Sequence, residues 1–347
     1  MKKKSITLSD IAKLSGVSKA TVSLVINNDS RVADKTRRKV LEIVESVGYI
    51  HNRGAASLST GRTNTVGLGV HDLNNPYFTK VVSECEAVLS RNDRMAFLCN
   101  TDESLTHQAK FIHALKGHRA DGLILSPVAG TDLASLAPIL DGKLPTVLIA
   151  RYIEGAKLDF VVNDGVPAMK KVTEHLIELG HTRIAMAGGG QKTSVSRNRR
   201  NGFLAAMEEH GLDVDDSLWI RCETSPEGGE EALEILLNSK NPPTAVVSFA
   251  DLIGIGIISS LHRRGLEPGR DLAVVSCDDI EEASRGYVQL TTMETKKSEI
   301  GRMSAELLIR RINEPDAPLR HIHLQAELII RKSCGYHLKH NAEKDKD

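Results

Sequence analysis

The chain has 347 residues, enough for two or three domains with separate cores, and 45 basic side chains balance 45 acidic ones. No hydrophobic run reaches bilayer-spanning length, and the N-terminus MKKKSITLSD lacks the apolar centre of a signal peptide, so a membrane protein is not expected and a cytoplasmic one is. Five scattered cysteines, Cys85, Cys99, Cys222, Cys277 and Cys334, show none of the short pairings of disulfide or zinc frameworks and read as packing residues in a reducing compartment.

The neutral total hides an asymmetry. Residues 1–62 carry twelve basic and five acidic side chains, a net of +7, which leaves −7 for the remainder. A basic head on an acidic body suits a polyanionic partner for the head alone, because phosphate neutralisation and counterion release supply most non-specific affinity for DNA. The run Arg37 to Lys39, by itself, equally fits a solvated surface. Within this head, TLSDIAKLSGVSKATVSLVINN from Thr7 to Asn28 predicts two short helices joined by a turn at Gly16. Thr7 with Asp10, and Ser18 with Thr21, place a hydroxyl ahead of each helix to accept from unpaired first-turn N–H groups. Ile11, Val17, Val22 and Val25 supply a small shared core, while Lys19, Ala20, Thr21 and Leu24 lie at or near the start of the second helix and point away from it. In a helix-turn-helix those positions meet base edges.

Val40, Ile43, Val44 and Val47 then repeat at helical spacing, and Gly48 follows as a stop, so a third helix closes the head near Tyr49. In the small, polar stretch IHNRGAASLSTGRTN, Asn52 is placed to cap a short helix through Leu58 that ends at Gly61. Gly54 costs such a helix roughly 1 kcal/mol relative to Ala, and one or two turns fall below the length at which an isolated helix is stable. The segment therefore reads as a linker that becomes helical only when something docks against it.

Beyond Thr63, apolar runs of strand length alternate with amphipathic helical stretches: TVGLGV from Thr65, RMAFLC from Arg94, DGLILS from Asp121, TVLIAR from Thr146, RIAMAGG from Arg183, TAVVSF from Thr244 and DLAVVSC from Asp271. Continuous apolar strands separated by helices imply parallel sheets covered on both faces. Ligands of such sheets bind outside the carboxyl ends of the strands. The residues there are polar: Asn74 and Asn75, Asp164, Ser194 to Arg200, Asp251, and Asp278 with Asp279.

With NDG at Asn163, HLIELGHTRIA at His175, RRNGF at Arg199 and CDD before QLTTM added to the head and hinge, nearly the whole chain resembles the LacI/GalR family of transcriptional regulators. TVSLVINN and HDLNNPYF are most similar to its MalI-like branch. The resemblance implies an α/β protein with an N-terminal helix-turn-helix head (1–49), a hinge with a DNA-induced helix (50–63), and a periplasmic-binding-protein-like core of two Rossmann-like subdomains (64–336), followed by a charged tail (337–347). The first subdomain would comprise 64–162 and 293–321, and the second 163–290 and 324–336. It further implies a repressor that binds a near-palindromic double-stranded operator as a homodimer under the control of a small polar effector, a sugar or related metabolite. No enzyme activity, cofactor, metal or membrane partner is expected. The tail after Ile330 has no leucine heptads, so a tetramerising coiled coil is not expected either.

Carried over by position, Lys19 and Ala20 match the family's base-reading pair and Leu24 a third reader that is often Arg. Leu packs on a thymine methyl where Arg would donate to guanine, so the operator should differ there. Thr7, Ser18, Thr21, Ser23, Asn27 and Arg31 complete the implied contacts of the head, and Asn52, Ala55 and Leu58 those of the hinge. Leu58 matches the leucine that paired hinge helices wedge into the minor groove. For the effector, the resemblance points to Asn75, Tyr77 and Phe78 on the first subdomain and to Asp164, Arg199, Asp251 and Asp278 on the second. Asp251 equally fits the cap of the helix LIGIGIISS. Two departures stand out: Thr224 replaces a frequent aromatic platform, and Ala250 an Asn of some sugar binders.

Other chemistry finds little support. GGG at Gly188 lacks the spacing of a dinucleotide fingerprint and reads as a turn. His107, His113 and His118 have no metal spacing, and His321 with His323 alternate on one strand face, which reads as a pair of polar side chains facing solvent rather than as a two-ligand metal site. A solute-binding protein for a transporter shares the core architecture, but the basic head and the missing leader argue against it. A nucleotide-dependent enzyme lacks its phosphate motif.

Overall fold

The computed structural model describes residues 6–26, 29–49, 62–190 and 192–338, and the chain divides into two compact units between Thr63 and Asn64. In the first unit, α1 (Leu8–Ser15) begins at a capping box: the Thr7 hydroxyl accepts from the Asp10 N–H at 3.3 Å, and the Asp10 carboxylate accepts from the Thr7 N–H at 2.9 Å. Gly16 ends it at φ 67°, a left-handed conformation that costs glycine little. α2 (Lys19–Ile26) starts at Ser18, whose Oγ accepts from the Thr21 N–H at 3.0 Å. α3 runs Asp34–Ser46, longer at its start than the valine repeat alone indicates, and leaves Val47 in its cap. Ile11, Val22, Val25 and Val40 are buried between the three helices, with Val17, Ile43 and Val44 packed around them.

The second unit holds two six-stranded sheets. The chain first lays down β1 (Thr65–Val70), α4 (Pro76–Arg91), β2 (Met95–Asn100), α5 (Leu105–Gly117), β3 (Gly122–Leu125), α6 (Ala137–Leu140), β4 (Thr146–Ile149) and β5 (Asp159–Asn163). It crosses at Asp164 and continues with α7 (Gly165–Glu178), β6 (Ile184–Ala187), α8 (Ser194–Glu209), β7 (Trp219–Ile220), α9 (Pro226–Leu237), β8 (Ala245–Ser248), α10 (Asp251–Arg263), β9 (Ala273–Asp278), α11 (Glu281–Arg285) and β10 (Thr291–Glu294). It returns with α12 (Lys297–Asn313) and β11 (His321–Leu324), then crosses again to β12 (Glu327–Ile329). The first sheet has the order β11-β5-β4-β3-β1-β2 and is parallel throughout; the second has the order β12-β10-β9-β8-β6-β7, with β12 antiparallel to β10.

These pairings correct the expected subdomain limits. β10 is in register with β9 through Glu294 opposite Asp278, so 293 and 294 belong to the second subdomain and the return falls at Thr295–Lys296. β11 pairs with β5 through Leu324 opposite Asn163, so the last crossing lies after Leu324. Strand pairing between distant segments decides both points, and no local pattern carries it. The burial of β2 also differs from that of a covered strand: at the edge of its sheet, Met95, Phe97 and Leu98 are 55%, 41% and 48% exposed. Among the described residues no helix is long and apolar enough to cross a membrane.

Candidate functional site

In both sheets the parallel strands end toward a cleft of about 710 Å3, within the range of small-molecule sites. On the second subdomain its wall is built by the first turns of α8 and α10 and by the end of β9. Arg199, on α8, is 8% exposed and donates through Nη2 to Asp278 Oδ1 at 3.1 Å and through Nη1 to the Phe249 carbonyl. Its guanidinium also lies over the Phe249 ring, 4.6 Å from the centroid. Asp278 is 6% exposed, with φ at 131°. Burial pushes its carboxyl up, and the Arg199 charge opposes that shift. Ser194, Asn198, Glu223, Thr224 and Glu227 are among the other residues that line this side.

The first-subdomain wall begins at the N-terminus of α4. The Asn75 carboxamide caps it by accepting from the Tyr77 N–H at 3.0 Å, and Pro76 takes the first helical position. This fixes Tyr77 and Phe78 edge to face, with centroids 4.9 Å apart, and His71 meets the Phe78 ring at 4.4 Å. Burial raises the Tyr77 phenol far above its usual range, so it stays protonated. Beside it, Arg151 donates to both Glu103 oxygens at 2.5 and 3.1 Å and to the Pro127 carbonyl at 3.0 Å. Burial and the Arg151 charge hold His71 well below its ordinary pKa, so its ring is neutral at pH 7, and its Nδ1 shares a hydrogen bond of 2.8 Å with Ser126. The Tyr152 N–H donates to Ser194 Oγ at 2.9 Å and so joins the two walls directly.

The head is matched over residues 7–52 by the family model of bacterial regulatory proteins of the lacI family, and residues 173–334 by that of a periplasmic binding protein-like domain. The transcriptional regulator DegA of Bacillus subtilis is 33% identical over 95% of this chain and 98% of its own. The chain belongs to the LacI family. The PurR repressor of Photobacterium profundum is 31% identical over 94% of the chain and 98% of its own length. Among solved structures, that of the regulator CelR in complex with cellobiose has a TM-score of 0.72 at 27% identity, covering 94% of this chain and 99% of its own. The operator-bound lac repressor dimer shares the fold, with a TM-score of 0.84 at 24% identity over 95% and 99% of the two chains. These relatives carry regulators' names, and the chain is a DNA-binding transcription regulator rather than an enzyme.

Within this LacI-family core, Asn75, Tyr77, Phe78, Arg199 and Asp278 line the cleft, whereas Asp164 and Asp251 do not. Asp164 is half-buried beside it and accepts from Gln325 Nε2 at 3.4 Å. Asp251 is fully buried behind the wall. It opens α10, with Ala250 in the cap position, and its carboxylate is taken up by the Thr292 hydroxyl at 2.6 Å and the Ile280 N–H at 2.9 Å. Burial, then the Asp278 charge, push its pKa up to about 7. The cleft also recruits His71, Glu103, Arg151 and Tyr152, which the sequence reading passed over, and Asn198, which lies in the polar stretch Ser194 to Arg200 singled out there. Arg151 and Glu103 follow the ends of β4 and β2, so the rule of polar residues beyond parallel strands already held a signal for both.

On the head, Lys19 and Ala20 are exposed, and Thr21, Ser23 and Leu24 half-buried, while Val22 and Val25 occupy the core face of α2. Thr7 is exposed and serves the capping box; Ser18 caps α2. Arg31 grips Asp29 through Nε at 2.9 Å and Nη2 at 2.7 Å, an exposed fork. Asn27, Asn52, Ala55 and Leu58 lie outside the described residues.

Proposed function

We propose that the protein is a homodimeric repressor acting in the cytoplasm, which reads a near-palindromic operator with its heads and hinges and is controlled by a small polar solute, a sugar or related metabolite, in the cleft. One observation carries this reading: the chain whose head matches the lacI family also holds a cavity of about 710 Å3 walled by the buried Arg199–Asp278 pair. A guanidinium fork and a carboxylate offer donors and acceptors to hydroxyls, and Tyr77, Phe78 and Phe249 offer apolar cover. Arg199 and Arg151 are each balanced by a carboxylate, which favours an uncharged solute over an anionic one. Relatives named as a ribose operon repressor and as a cellobiose-bound regulator agree with a sugar. For the dimer, the support is the apolar outer edge of β2 together with Tyr287, 79% exposed against His262, surfaces that a second copy would cover.

The test combines selection of duplexes from a random pool with titration of D-ribose and cellobiose, read by the emission of Trp219, the one tryptophan in the sequence. Trp219 Nε1 bonds the Gly188 carbonyl at 2.9 Å, and Gly188 packs on the cleft residue Phe249. A palindromic site bound with a steep loss on raising salt is the expected result. A single asymmetric half-site, or salt-insensitive binding, overturns the DNA part; sugars that alter neither emission nor operator affinity overturn the effector part.

A further inference from the structure

The cleft wall ends in backbone that has to be held. Asp278 and Asp279 have φ of 131° and 53°, conformations that L residues keep only where their surroundings over-determine them. Part of that constraint is local to the second subdomain: the Ile280 N–H donates to Asp251 at 2.9 Å, the Asp279 N–H to Thr292 Oγ1 at 3.4 Å, and Arg331 to the Asp279 carboxylate at 2.6 Å. Lys297 adds a constraint of another origin. Its Nζ donates to the main-chain carbonyls of Asp278 at 3.1 Å and Asp279 at 2.6 Å, yet it is the first residue of α12, a helix that packs on β3, β4 and β5 of the first sheet.

The nearest Lys297–carboxylate approach, to Glu294, is 3.9 Å, and Glu294 is engaged more closely by Lys296 at 3.0 Å; Lys297 holds the turn through its hydrogen bonds to the two carbonyls, and its charge also favours the ionised Asp278 carboxyl. From Lys297 the contact continues along a stiff path. At Gly301 the backbones of α12 and α4 touch, because a Cβ there would overlap the Val81 carbonyl, and Cys85 Sγ donates to the Gly301 carbonyl at 3.2 Å. The start of α4 carries Tyr77 and Phe78 in the opposite wall of the cleft.

We propose that Lys297 is a positioning residue that ties the Asp278–Asp279 turn to α12, so that a change at the Arg199–Asp278 wall is passed to the α12–α4 pair of the first subdomain. Its regulatory meaning rests on the effector reading above, but the tether itself is testable without an effector or an operator. Amide hydrogen exchange is followed in the full chain for the native protein, Asp278→Asn, Lys297→Met and the double variant. With Lys297 present, Asp278→Asn should speed exchange in the first turns of α12 and α4 by about tenfold; with Met at 297 the same change should move those amides hardly at all. Lys297→Arg, which still donates to both carbonyls, should restore the coupling, a result that a merely structural side chain would not give. Should Lys297→Met unfold, Lys297→Gln takes its place in the same comparison. Equal effects of Asp278→Asn in both backgrounds, or none in either, overturn the tether. A protein that selects no DNA and binds no sugar leaves this measurement intact, so the two failures are told apart.

Discussion

Asp278→Ala strands the guanidinium of Arg199, which is 8% exposed and would keep only the Phe249 carbonyl and ring. Removing one partner of a buried ion pair costs about 3–5 kcal/mol in general. Arg199 borders a cavity of about 710 Å3, so water can take up part of the lost bonding. The expected loss is therefore about 2–3 kcal/mol. The same substitution leaves a Cβ at φ 131°. Asp278→Gly removes the same carboxylate without that penalty, and should be more stable than the Ala variant by about 1 kcal/mol. For a body of this size each kcal/mol moves the melting temperature by about 2–4 °C, which puts Asp278→Ala about 4–12 °C below the native protein and Asp278→Gly a few degrees above Asp278→Ala. Thermal unfolding of the three proteins at one pH checks the order. Ala and Gly variants that melt together would refute the strain at Asp278, and an Ala variant as stable as the native chain would refute the ion pair's role.

The raised pKa of Asp251, about 7 against an ordinary 3.8, means that the folded state holds an extra proton between these values. Stability should therefore fall as pH rises through that window and level off above it, and Asp251→Asn should flatten the slope in urea unfolding at about pH 5 and about pH 7.5. On the head, Leu24→Arg should shift one position of the selected half-site from thymine toward guanine, a change of about 1–3 kcal/mol in base preference, seen by repeating the duplex selection. Phe97→Glu, on the exposed edge of β2, should weaken self-association and, through that linkage, lower the melting temperature where the native chain is dimeric; sedimentation at falling protein concentration decides it, and an unaltered dimer would remove this edge from the interface.

The helix-turn-helix was legible in the sequence because its determinants are local: Thr7 with Asp10 and Ser18 with Thr21 cap helices a few residues away, and Gly16 sets the turn between them. The parallel strands were legible for a similar reason, since burial on both faces writes itself as a continuous apolar run. Arg199 and Asp278 could be singled out as polar residues beyond strand ends, but not as an ion pair 3.1 Å long, because they stand 79 residues apart. Asp251 shows the limit most clearly. It follows TAVVSF just as Asp278 follows DLAVVSC, yet one carboxylate faces the cleft while the other turns inward to Thr292 and Ile280. Which way each points depends on the partners that β10 and the β9–α11 turn bring alongside, and those arrive only when distant strands pair. The same holds for the exposed face of β2, whose apolar letters look like a covered strand until its place at the edge of the sheet leaves them facing solvent.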